Sequence, residues 1–259
     1  MTQCPTCRDK FIDCRSLIAE KLLTSTLKDT PMQCRHHLAG CVFEDLVVTL
    51  PDHEASCMFR TVKCPANHRG ACNWEGALNK LIQHVIQQKC AQVVKAKPPN
   101  NYFISTIGDF AQDQTVFSKN TTTHWKPVML ISQEALKFFC YAIFYRDSGG
   151  IWYCYVRSFA PPSLSETLTV DIGIGRSGSV EDSHSYSFRG GVNSSTATEL
   201  EVTESGNYLL LRDGQVRKFQ VDKTIMEYRI SLKQITTTTS DHLQSQPCQT
   251  PATTSQACD

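Results

Sequence analysis

Residues 34–90, "CRHHLAGCVFEDLVVTLPDHEASCMFRTVKCPANHRGACNWEGALNKLIQHVIQQKC", decide how the first third of this chain folds. Cys34 and Cys41 enclose six residues, His53 follows after eleven, and Cys57 after three more. The order then starts again: Cys64 and Cys72 enclose seven residues, His84 follows after eleven, and Cys90 after five. Repetition of ligand type, order and spacing points to two tetrahedral Zn²⁺ sites, each with three thiolates and one imidazole. A closed Cys₃His set leaves no position for substrate or water, so the expected role is structural. Each site could supply ~10–16 kcal/mol of apparent folding energy. A module of about 30 residues has too little core to fold without such help.

Local sequence suggests how the ligands are presented. The first cysteine pair of each set suits a β-hairpin that brings two sulfurs together. In "LPDHEASC" (50–57), Pro51 fits a first helical position, and His53 and Cys57, at i and i+4, share a helix face. In "WEGALNKLIQHVIQQKC" (74–90), Leu78, Leu81, Ile82 and Val85 form a helical stripe, so Cys90 must reach back from beyond the helix end. His36, His37 and His68 fall outside the repeated spacing and read as surface residues or supports of the ligands, although His68 could compete within the longer Cys64–Cys72 loop.

The bulk composition narrows the function classes. The chain has 259 residues, with Lys+Arg 26 against Asp+Glu 25 and a formal charge of +1. That balance gives no field directed at nucleic acid or membrane. The Cys/His spacing also departs from the form of base-reading fingers. No run approaches the ~18 apolar residues of a membrane span, and the first residues lack the apolar stretch of a signal peptide. Nine of the 13 cysteines lie in the first 90 residues, interleaved with histidine. A reducing compartment and metal ligation explain this better than a secreted disulfide framework, which the sequons at Asn120 and Asn193 support only weakly. The expectation is a soluble cytoplasmic or nuclear protein that binds neither nucleic acid nor membrane.

Downstream, "KAKPPNN" (95–101) reads as a linker. Residues 102–235 read as short strands. "LKFFCYAIFYR" (136–146) is apolar on both faces, "DSGG" (147–150) is a turn, and "IWYCYVRSF" (151–159) is its hairpin partner. Leu168, Val170, Ile172 and Ile174 alternate on one face, as do Tyr228, Ile230 and Leu232. Asp213-Gly214 between two strand-like runs predicts a further hairpin. Short strands with polar turns argue an antiparallel sandwich. From about residue 236 the polar, low-complexity sequence predicts a disordered tail. The fold class is α+β: small zinc-binding modules followed by an antiparallel β-sandwich. Cys140 and Cys154 sit in apolar strand patterns and read as inert core thiols rather than nucleophiles.

The order of "CPTCR" (4–8), the amphipathic "RSLIAEKLL" (15–23), the double set with "LPDHEASCMFRTVKCP" and "CNWEGALNKLIQH", and then a strand-rich region resembles the seven-in-absentia E3 ubiquitin ligases. The match is highly specific over residues 1–90. It is weaker in the sandwich, where "HWKPVMLI" (124–131), "FRGGVNSS" (188–195) and "SGNYLLLRDGQVRKFQVDKTIMEYRISL" (205–232) keep the family's order. The resemblance implies a RING remnant at 1–14, a connecting helix at 15–33, tandem zinc fingers at 34–94, a TRAF-like substrate-binding sandwich at 95–235 and a tail at 236–259. It makes Cys4 and Cys7 the last RING ligands, and puts Pro5 and Arg8 on the surface facing the ubiquitin-conjugating enzyme, E2. It implies homodimerisation, protein substrates or adaptors as partners, and transfer of ubiquitin by orientation of the E2 thioester, without a covalent intermediate on the ligase.

Two departures qualify the resemblance. A RING holds two zinc ions through eight ligands, and Cys4 and Cys7 supply two. Residues 1–259 alone are therefore expected not to form a RING, and to be either a piece of a longer ligase, the favoured alternative, or a natural form without the catalytic module. An adaptor without ligase activity is the corresponding second function. In the sandwich Trp125 matches a tryptophan of the family's substrate groove, where an extended peptide adds to a sheet edge. His124 stands where an acidic residue is expected and Pro127 where an apolar one is, so peptide preference is expected to differ. Trp125 reads equally well as a plain core aromatic.

Overall fold

The computed structural model describes residues 25–27, 29–97, 102–107, 114–118, 120–131, 139–175, 186–221 and 225–234. Strands β1 (Pro31–Gln33) and β2 (Glu44–Leu46) pair antiparallel, with Pro31 opposite Leu46. Helix α1 (Leu50–Ser56) follows, with proline in its first turn. The unit then repeats: β3 (Thr61–Lys63) pairs with β4 (Glu75–Ala77), and one 3₁₀ turn leads into α2 (Leu81–Gln88).

The remaining elements form two stacked sheets. In chain order they are β5 (Gln92–Lys95), β6 (Tyr102–Ile107), β7 (Thr123–His124), β8 (Val128–Ile131), β9 (Cys140–Arg146), β10 (Ile151–Ser158), the helical turn α3 (Pro162–Ser165), β11 (Leu168–Ile174), β12 (Tyr186–Gly191), β13 (Asn193–Ser194), α4 (Glu199–Ser205), β14 (Leu209–Arg212), α5 (Asp213–Phe219), β15 (Gln220–Val221) and β16 (Ile225–Gln234). The seven-stranded sheet runs β13-β10-β9-β8-β5, with β14 on β10 and β7 on β9. The five-stranded sheet runs β12-β11-β16-β15, with β6 on β16. Pairing is antiparallel except β5 with β8 and β10 with β13. This is the expected α+β arrangement of small zinc modules before a sandwich. Strand β5 straddles the boundary drawn at residue 95, and Ala96 is already part of the sandwich core.

Alternation builds that core. Every second residue of β11, from Leu168 to Ile174, is buried between the sheets, as are Met226, Tyr228, Ile230 and Leu232 of β16. Phe144, Trp152, Cys154 and Val156 meet them from the other sheet. Burial of each large apolar side chain contributes about 1.5–3 kcal/mol, so this layer is the main stabilising element. The β9–β10 hairpin forms as the sequence predicts, with Trp152 opposite Arg146 and Ser158 opposite Cys140. Its turn is closed by Asp147, whose Oδ1 accepts the N–H groups of Gly149 and Ile151.

One expectation fails. Asp213-Gly214 does not turn a hairpin; it opens helix α5. Val216 and Phe219, three apart, are buried on one helix face. The Asp213 carboxylate accepts from Arg146 Nε and Nη2 at 2.8 and 2.7 Å and from Trp152 Nε1 at 2.7 Å. Arg146 is 2% exposed, so this distant pairing outweighs the local turn preference. The expected tail at 236–259 and residues 15–24 of the expected connecting helix lie outside the described residues; at its other end Pro31–Gln33 form β1 rather than helix, paired with Glu44–Leu46.

The outer face of the seven-stranded sheet is also covered. Leu78, Leu81 and Val85 of the second zinc module, each 0% exposed, pack with Met129, Tyr141, Ile143 and Tyr155, and with Val202 of α4. The first module keeps a separate small cluster of Cys34, Cys41 and Cys57 with Phe43 and Phe59.

Candidate zinc centres

In the first module, β1 ends at Gln33 and delivers Cys34, while a 3₁₀ turn over His37–Ala39 brings the chain back to Cys41 just before β2. Gly40, at φ +108°, makes this return possible, and a Cβ there would stand 3.1 Å from the Phe59 ring. Few L-residues adopt that backbone. His53 comes from α1. Cys57 lies just past its end, at φ −58° and ψ 128°, so it caps the helix rather than sharing its face as the i, i+4 spacing suggested. In the second module Cys64 follows β3, Cys72 precedes β4, and His84 comes from α2. Lys89 at φ 51° reverses the chain so that Cys90 reaches back, as its spacing required.

The four ligand atoms of each set, Cys34, Cys41, His53 and Cys57 in one and Cys64, Cys72, His84 and Cys90 in the other, lie within 4.8 Å of one another. Cys34 and Cys57 sulfurs are 3.9 Å apart, and Cys41 Sγ is 3.3 Å from His53 Nε2. In the second set Cys64 and Cys90 sulfurs are 3.5 Å apart, and His84 Nε2 is 3.3 Å from Cys72 and 3.4 Å from Cys90. Zn–S bonds of about 2.3 Å at tetrahedral angles require edges of roughly 3.8 Å, so the donors need only small adjustments to hold zinc. Both sets fit a closed structural zinc site, and two zinc ions are the expected complement.

The surroundings favour metal over free thiols. Burial pushes the Cys57 thiol up to about 11, with the neighbouring sulfurs of Cys41 and Cys34 adding to it. Burial also raises Cys64 and Cys90. Thiols held un-ionised in this way become thiolates when a cation offsets their charge. Backbone N–H groups help: His36 donates to Cys34 Sγ and Phe59 to Cys57 Sγ, each at 3.4 Å. Burial lowers His84, keeping its imidazole neutral as a ligand must be. None of the described cysteines is disulfide-bonded, against the framework alternative.

Aromatic rings extend the repeat beyond the ligands. Phe43 stacks on His53 with centroids 3.8 Å apart, and Trp74 stacks on His84 at 4.4 Å. Each ring stands two residues after the second cysteine of its set, a signal present in the sequence. Arg60 ties the modules to the sandwich: Nη1 donates to Cys57 O and Nη2 to Phe159 O. Nothing in the local sequence announces that contact across 99 positions.

The other singled-out residues stand apart. His36 and His37 join neither set, and the His68 side chain lies outside the described residues; His37 is exposed, with Nδ1 facing Cys34 O. Cys140 and Cys154 are buried in the sandwich, their thiols raised by burial, Cys140 to about 11. Trp125 follows β7, donates its backbone N–H to Phe144 O, and stacks on Trp152 at 4.6 Å against the core. Cys4, Pro5, Cys7 and Arg8 lie outside the described residues.

Comparison with known proteins agrees with this geometry. Residues 26–101 match the family described as "Sina, zinc finger". The chain is 31% identical over 86 residues to the E3 ubiquitin-protein ligase sina of Schistosoma mansoni, covering 33% of this chain and 22% of that protein. It is 30% identical over 86 residues to the proteins of the same description from Drosophila melanogaster and Drosophila willistoni, covering 26% and 24% of their lengths. The chain thus matches about a quarter of the length of these relatives. No helix among the described residues is long and apolar enough to cross a membrane. Sequence match, ligand order and donor geometry converge: residues 26–101 resemble a Sina zinc finger and bring together two Cys₃His sets able to hold zinc.

Proposed function

We propose that this chain serves an E3 ubiquitin ligase of the seven-in-absentia type, as the part that binds substrates, with the sandwich in the role of a TRAF-like recognition domain. The observation that carries the reading is the tandem Cys₃His pair, in the order and spacing of a Sina zinc finger, with its second member packed on the sandwich. In this reading zinc is structural and no side chain of the chain reacts. The sandwich holds a substrate or adaptor, with Trp125 lining the groove, and a RING orients ubiquitin on its E2 for attack by a substrate lysine, leading to proteasomal degradation. Cys4 and Cys7 are the proposed RING ligands, Pro5 and Arg8 the proposed E2 contacts. The protein acts as a homodimer in cytoplasm or nucleus.

The test has two arms. Discharge of ubiquitin from a charged E2 onto free lysine is expected to be no faster with residues 1–259 than with E2 alone, because two RING ligands do not close a zinc site. Acceleration would overturn that division of labour. Joined to the RING of a sina relative, the chain is expected to direct ubiquitin onto a protein bound to its sandwich, and Trp125→Ala to reduce that transfer while leaving discharge onto free lysine unchanged. Ubiquitination of no bound protein would leave an adaptor without ligase function.

A further inference from the structure

The two sheets differ on their outer faces: α2 and α4 cover the seven-stranded one, while a cleft of about 880 Å³ opens on the five-stranded one. Pairing register places its lining. Gly173 of β11 lies between Arg229 of β16 and Ser187 of β12, and Asp171, two residues back, lies between Ser231 and Arg189. Lys233 and Tyr102 complete the wall. Arg189, Arg229 and Lys233 are exposed cations, and Asp171 is the one acidic residue in the lining.

Asp171 is already shared. Arg189 Nε pairs with its Oδ1, and Lys233 Nζ reaches its Oδ2 at 3.4 Å. Arg229 has no ion-pair partner among the described residues, and the lining sets three cations against one carboxylate. The floor is open at the same place. A Cβ on Gly173 would meet nothing nearer than the Arg229 carbonyl, 4.0 Å away. A glycine inside a strand, flanked by two paired strands, marks a place where another backbone can lie close.

We propose that this cleft docks a short acidic segment of a partner polypeptide, seated over Gly173 with its carboxylates on Arg229 and on the Arg189–Lys233 pair. Four strands at ~4.8 Å spacing span about 14 Å, room for roughly four extended residues. A continuous phosphate backbone fits less well: the cationic surface is that short, Asp171 stands within it, and the chain as a whole carries only +1. Arginine suits carboxylate recognition because its planar fork donates two parallel hydrogen bonds. This docking surface is independent of the ubiquitin-ligase reading and survives its failure.

The experiment is fluorescence anisotropy of a labelled oligo-glutamate peptide with the zinc-loaded full chain, over a salt series. Binding at low salt that weakens steeply as salt rises is expected. Arg229→Glu should weaken it about tenfold or more. Gly173→Val, which changes no charge but fills the floor, should weaken it comparably. Lys218→Glu, the same charge change on an exposed position of α5 outside the cleft, should have no more than a small effect. Four results overturn the proposal: no binding at low salt, equal losses from Lys218→Glu and Arg229→Glu, no loss from Gly173→Val, or tighter binding of a single-stranded oligonucleotide than of the peptide. Should a variant unfold by circular dichroism, Arg229→Gln, a neutral exchange at an exposed site, decides in its place.

Discussion

Replacing His84 by alanine tests whether the second zinc site supports the sandwich as well as its own module. His84 is a candidate ligand on α2, the helix whose Leu81 and Val85, with Leu78 just before it, are fully buried against Met129, Tyr141 and Ile143. Three such side chains contribute at most about 5–9 kcal/mol of burial, an upper figure because the unfolded chain already hides some surface. A domain's whole stability is about 5–15 kcal/mol. If losing the metal loosens α2 enough to forfeit even a third of the contact, the sandwich loses about 2–3 kcal/mol, a Tm drop near 10 °C at this size. His53→Ala removes the equivalent ligand of the first module, whose cluster of Cys34, Cys41, Cys57, Phe43 and Phe59 is separate. Its expected effect on the sandwich is under about 1 kcal/mol, carried through Arg60. The assay is thermal unfolding followed by near-ultraviolet circular dichroism of the buried aromatics, with zinc content measured on the same samples. Equal Tm shifts for the two variants, or none for His84→Ala after zinc is shown to have left, would refute the argument that the second module and the sandwich are one cooperative unit.

Three further outcomes follow from other contacts. Asp213→Ala leaves Arg146 buried without its carboxylate and is expected to cost about 3–5 kcal/mol in denaturant unfolding. Burial alone would raise the Asp213 carboxyl, but hydrogen bonds from Arg146 and Trp152 outweigh it and hold it below the usual range; stability from this pair is therefore full above the unfolded-state value of about 3.9 and is lost as pH falls through the lower folded value, a slope that Asp213→Asn should flatten. Gly40→Val forces a β-branched residue to φ +108° and against Phe59, so competitive chelation should strip the first zinc more readily than from the parent while the second is unchanged. With zinc bound, Cys140 and Cys154 should resist alkylation at neutral pH until the sandwich unfolds, since burial pushes both thiols well up; rapid labelling of either in folded protein would contradict their place in the core.

The zinc ligands were legible because coordination imposes a spacing that survives any change in the residues between. The sandwich strands were legible where alternation was strict, as from Leu168 to Ile174. The helices of the sandwich were not. The α4 start carries a readable capping box, with Thr198 Oγ1 accepting from Glu201 N and Glu201 Oε2 accepting from Thr198 N, but its seven residues are too short to show a helical period. Helix α5 was misread because Asp-Gly favours a turn locally, whereas Asp213 is fixed by Arg146, 67 positions earlier. Contacts of that separation, like Arg60 with Phe159, leave no local trace. Neither does the docking of α2, whose apolar stripe was visible while the surface it covers was not.

Strand β5 begins two residues after Cys90 and lies parallel along the edge of β8, Gln92 opposite Val128 and Lys95 opposite Ile131. It is a shield: without it, the apolar β8 would present a bare row of backbone donors and acceptors to any passing strand. The shield is tethered at its leading end by a zinc ligand. A cell short of zinc would therefore face more than a loosened module. Release of Cys90 would leave β5 held to the sheet by its ladder to β8 alone, so metal shortage would reach the edge of the sandwich as well as the module.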